Sequence, residues 1–94
     1  MRVGDGSAYK LLVRGTGLHR MIDGVDTPVG VYATVFVTEV DENGARLAAI
    51  DELQARLGAK DATTEHTRLE VESIERIRAN EIPKVQPGFT FYRE

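Results

Sequence analysis

Cysteine is absent from this 94-residue chain. That absence excludes a disulfide scaffold, thiolate metal sites and thiol catalysis together. Serine is almost absent: Ser7 and Ser73 stand alone, and neither sits in the Gly-x-Ser-x-Gly elbow of an activated serine nucleophile. Long apolar runs are missing as well. The longest stretch without a charge, Thr27 to Thr38, contains Pro28 and Gly30 and falls far short of the ~20 residues that span a bilayer. The segment from Met1 to Ser7 has no apolar core, so the sequence predicts no signal peptide and a cytoplasmic location. Nor is there an excess of positive charge, since 12 basic against 15 acidic residues give −3. The arginines scatter from Arg2 to Arg93 instead of forming a phosphate-binding stripe. Neither a nucleic-acid nor a membrane partner is expected.

What is present is enough for one core. Apolar residues make up 41 % of the chain, and no repeat, low-complexity tract or composition shift divides it, so residues 1–94 read as a single domain. A domain this small hides only roughly 60–65 % of the surface its unfolded chain exposes. An apolar patch left for a partner is therefore expected from size alone.

Five elements follow from periodicity. Residues 8–16 alternate, with Tyr9, Leu11 and Val13 on one face and Lys10, Leu12 and Arg14 on the other, and Gly15 and Gly17 close the strand. Residues 30–40 are almost entirely β-branched or aromatic. Here Val31, Ala33, Val35 and Val37 oppose Tyr32, Thr34 and Phe36. A helix is predicted over 42–57, capped by Asp41 or Asn43 and stopped at Gly58. Its apolar stripe is Leu47, Ile50, Leu53 and Leu57. Residues 66–77 return to strand alternation, and where Ile74 and Ile77 fall out of step either a bulge near Ser73 shifts the register or a helical turn begins, a strand to about Ile74 with a bulge or bend being preferred. The tail Phe89-Thr90-Phe91-Tyr92 reads as a short edge strand.

These elements define an α+β fold, a single ββαββ domain whose mostly antiparallel four-stranded sheet carries one helix on one face. With strand one placed between strands two and three, every neighbour is antiparallel and the order is 2-1-3-4, the commoner kind of pairing. The connection 18–29, at about twelve residues, is long for such a domain. It reads either as a functional loop or as a cover over the core, held by Met21 and Ile22.

Few residues invite chemistry. Gly4-Asp5-Gly6 and Gly15-Thr16-Gly17 lack the third glycine and following helix of a phosphate loop. Tracing the chain end to end brings His19 and His66 to the same end as Asp23, Asp26, Asp61 and Glu65. Their ligand spacing is not compact, so no metal, cofactor or catalytic residue is assigned. Glu70 and Glu72 alternate with Leu69 and Val71 as the solvated side of a strand.

The chain resembles a set of small bacterial proteins of no established function. Their shared pieces are matched here by Tyr9-Lys10-Leu11, Gly30-Val31-Tyr32 and the tail Gly88-Phe89-Thr90-Phe91-Tyr92. The resemblance covers most of the chain and implies no activity.

One helix covers one face of a four-stranded sheet, which leaves Leu12, Tyr32 and Phe36 among Lys10, Arg14 and Thr34. That face is too apolar for open water and too polar for a second core. The expected function is a non-catalytic protein-interaction domain, pairing with itself or with another protein. The alternatives are an immunity-type protein that neutralises a toxin, or an enzyme with a small-molecule site at a dimer seam using His19 or His66.

Overall fold

The computed structural model describes residues 6–94; Gly4 and Asp5, of the first Gly-x-Gly pair, lie outside them. The chain runs β1 (Ser7–Ile22), β2 (Val25–Glu39), α1 (Glu42–Ala59), β3 (Arg68–Ile77), a 3-10 turn (Ala79–Glu81) and β4 (Phe89–Arg93). All pairings are antiparallel, in the order β3-β1-β2-β4. The α+β class, the single sheet and the central place of β1 between β2 and β3 are as expected from the sequence.

The last strand is on the other edge. In the 2-1-3-4 order it would neighbour β3, whereas β4 pairs with β2, from Val29↔Arg93 to Ala33↔Phe89. Packing explains the difference. On the β2 side Phe89 and Phe91 join the rim of the core, and the Arg56 guanidinium of α1 lies 4.5 Å over the Phe89 ring. The linker is fastened on that side too, by Arg56 Nη2 donating to the Pro87 carbonyl at 2.9 Å.

The core lies between α1 and one face of the sheet. Leu11, Val13, Val31, Ala33 and Val35 face the helix and are fully buried. Asp41 caps α1 by accepting from the Gly44 N–H at 2.8 Å. The stripe that packs is Ala45, Ala49, Leu53 and Leu57, with Ile50 at its margin. Leu47 is not part of it and is 70 % exposed. The expected stripe climbed by steps of three, which drift backward around the helix and carry Leu47 about 120° from Leu53. The packed row climbs by steps of four, and its two alanines let the first half of α1 approach the valines closely. Gly58 does not end the helix either. α1 continues to Ala59, and Asp61 makes the reversal with φ 56.

The segment 18–29 is a hairpin arm, not a loop. Pairing resumes at Leu18↔Val29 and runs to Ile22↔Val25. Asp23 and Gly24, with φ of 52 and 79, form the two-residue turn whose twist suits antiparallel strands. What looked like a strand end is a bulge, in which Thr16 and Gly17 oppose Gly30 alone. Gly17, at φ 71, carries the left-handed conformation and passes so close to the His66 carbonyl that a Cβ would overlap it. At the tip Met21 is 65 % exposed and holds nothing down, while Ile22 does pack against the core. The second bulge falls at Glu72, between the pairs Leu12↔Ser73 and Val13↔Val71. It turns Ile74 to the helix face opposite Leu11 and leaves Ile77 opposite Ala8 on the other.

Candidate interaction face and a cleft at the base of the arm

Alternation along the strands makes the second face. Opposite the core residues, register brings together Lys10, Leu12 and Arg14 of β1, Tyr32, Thr34 and Phe36 of β2, and Thr90 and Tyr92 of β4. From β3 it adds Glu70, Ser73 and Glu75. Leu12 and Tyr32 are 36 % and 39 % exposed, and Phe36 is half-buried. Leu12 stands opposite Thr34, so it is diagonal to both rings, within reach across the strands. The three residues singled out from the sequence thus form one short apolar row. A shallow depression lined by Lys10, Leu12, Thr34, Ser73 and Glu75 adjoins it.

Tyr92 belongs to this face and was not singled out. Its ring lies directly across Gly30, where any Cβ would collide with it. It packs against Tyr32 with centroids 5.4 Å apart at 31°. Arg14 Nε donates to its hydroxyl at 3.1 Å. That hydrogen bond, with the charge interactions of Tyr92, Tyr32 and Glu72, raises the Arg14 pKa above its ordinary value. The tail's alternation separates Tyr92 from Phe89 and Phe91, yet only the partner strand tells which face each receives.

The edges of the β1–β2 pair are covered over part of their length. Along β3 the charges Arg68, Glu70, Glu72, Glu75 and Arg76 are exposed beside the bulge, a combination that discourages strand addition. On the other edge β4 covers Val29 to Ala33. Beyond it the Gln86 side chain stands in for a strand residue. Its amide accepts from the Phe36 N–H at 3.1 Å and donates to the Phe36 carbonyl at 2.7 Å.

At the foot of the arm, the structure gathers His19, Asp26 and His66 with Gly17, Thr64 and Glu94 around a cleft of about 280 Å³. His19 Nδ1 is 2.8 Å from Asp26 Oδ1, a contact that orients the imidazole. His66 Nε2 is 3.4 Å from Glu65 and both side chains are largely exposed. Asp61 opens instead onto a neighbouring depression with Lys60 and Met21, and Asp23 is at the tip of the arm. The bulge is tied here: Thr64 and Thr67 hydroxyls both donate to the Gly17 carbonyl, at 2.6 and 3.0 Å. Among the described residues, no three His, Asp or Glu side chains are arranged to hold a metal ion. Ser7 and Ser73, the two serines, lie outside the cleft. No helix is long and apolar enough to cross a membrane among the described residues. No family model matches the chain, and no curated protein or solved structure is significantly similar to it.

Proposed function

We propose that this chain is a non-catalytic protein-interaction domain that forms a homodimer through the sheet face opposite α1. The observation that carries the reading is the preassembled row of Leu12, Tyr32, Phe36 and Tyr92, braced by Arg14 on a face no helix covers. Aromatic side chains held in place lose little freedom on binding, which makes them effective anchors. Size supports it as well. The radius of gyration, 14.6 Å, exceeds the roughly 12 Å of a compact domain of this length, so the monomer exposes more surface than its size requires.

Sedimentation equilibrium tests the proposal directly. The wild-type protein should show twice the chain mass, and Tyr32→Lys with Phe36→Lys should return it to monomer with an unchanged circular dichroism spectrum. A monomeric wild type at ~100 μM, a concentration where weak but specific interfaces still associate, would count against it. One observation favours a second reading, a small-molecule site: the oriented His19–Asp26 pair facing His66 across a cleft. Native mass spectrometry of protein from its own cells distinguishes the two, since a retained metabolite lost in His19→Ala would support that site.

A further inference from the structure

The open face has a built-in sense of direction. Its charges lie in rows along the strands: cations on β1 (Lys10, Arg14), acids on β3 (Glu70, Glu75), rings on β2 (Tyr32, Phe36), hydroxyls on β4 (Thr90, Tyr92). Register also sets the heights. Arg14 is level with Tyr32, and Lys10 with Phe36; Glu70 is level with Arg14, and Thr90 with Tyr32.

Two identical sheets packed face to face are related by a two-fold axis lying between them, and the rows discriminate among its positions. An axis perpendicular to the strands puts β1 on β1 and β3 on β3, so cations meet cations and acids meet acids, which is destabilising. An axis parallel to the strands between β1 and β3 matches cations with acids but leaves Tyr32, Phe36 and Tyr92 uncovered. An axis parallel to the strands between β1 and β2 overlaps the whole face. It sets β1 over the partner's β2, and β3 over the partner's β4.

We infer that the homodimer uses this last axis, so that Arg14 stacks on the partner's Tyr32 and Lys10 on the partner's Phe36, with Glu70 reaching the partner's Thr90 and Tyr92 hydroxyls. The inference rests on the dimer reading above and adds the partner's orientation and contacts. Each cation–ring contact occurs twice by symmetry. Sheets packed in this aligned way sit about 10 Å apart and cross at about 30°, within reach of an Arg or Lys side chain over a ring. The two hairpin arms then project from the same end of the dimer, side by side.

The absence of cysteine makes the geometry measurable. A spin label on Met21→Cys, or on Val25→Cys as an independent check, occupies an exposed tip position roughly 30 Å along the strands from Leu12. The axis between β1 and β2 gives a label-to-label distance of about 20 Å, and a perpendicular axis about 60 Å. A distance near 60 Å in a protein that is dimeric by mass overturns the orientation and leaves the dimer reading standing. A monomeric mass overturns both. Side-chain variants separate the two parallel axes. Lys10→Gln with Arg14→Gln should weaken dimerisation at least tenfold, and Glu70→Gln with Glu75→Gln by less than threefold. Equal tenfold losses from both pairs would place the axis between β1 and β3 and refute the proposed contacts.

Discussion

The two faces of one sheet are built by the same strands and obey different rules. Toward α1 the residues are chiefly Val, Leu and Ala, fully buried, with the Tyr9 ring buried among them. On the far side the strands present rings, hydroxyls and charges, joined by an Arg14–Tyr92 hydrogen bond and a tyrosine pair. The first face is held by close packing, in which a missing methyl group is felt everywhere. The second is held by a few directional contacts and leaves Leu12 and Tyr32 partly exposed. The molecule thus separates the face that folds it from the face it leaves open.

Substitutions should expose that division, the largest effects coming first. Leu53→Ala on the packed face should lower stability by about 2–5 kcal/mol in a urea titration, as a cavity opens under α1. A loss of under half a kcal/mol would mean the helix does not seal the core there. Gly30→Ala lies on the open face yet should cost about 1–3 kcal/mol, because the new methyl group displaces the Tyr92 ring and with it β4. Tyr92→Phe removes the acceptor of the exposed Arg14 hydrogen bond and should lower stability less than Gly30→Ala does, with the tail's amide protection otherwise kept. Leu47→Ala should change stability by under about 0.5 kcal/mol, since the side chain is exposed despite its apolar character. A large effect at Leu47 would erase the contrast between the faces of α1.

The alternation of residues 8–14 and 30–37 already separates the two sheet faces, since a period of two leaves no choice. The Asp41 cap and the out-of-step Ile74 and Ile77 were equally legible. The arm was not, because Gly15 and Gly17 suit a strand end as well as a bulge. The better signal was Asp23-Gly24 between Met21-Ile22 and Val25, a two-residue hairpin turn with apolar flanks. Leu47 misled because hydrophobicity ranks leucine above alanine, whereas close approach of helix to sheet selects Ala45 and Ala49. The position of β4 depends on contacts far apart in sequence, Gly30 with Tyr92 and Phe36 with Gln86, and no local pattern announces those. The meeting of His19, Asp26 and His66 was legible from the antiparallel trace alone; the part played by Glu94 was not, since it depends on where β4 lies.

The Gln86 amide has one more consequence. β4 has five residues, and it is fastened by its ladder to β2, the Tyr92 ring over Gly30, Arg56 at Phe89 and Pro87, and this one upstream side chain. When the strap lifts, Val29 to Phe36 becomes a bare row of donors and acceptors in a segment rich in valine and aromatic residues. Such a row accepts any matching strand, and the nearest match in concentration and sequence is the β4 of another copy. Tail exchange between molecules is therefore the natural misassembly of this fold, and the Gln86 contact to Phe36 is one of those that oppose it. Hydrogen exchange at the Phe36 amide, which donates to that side chain, reads the opening directly.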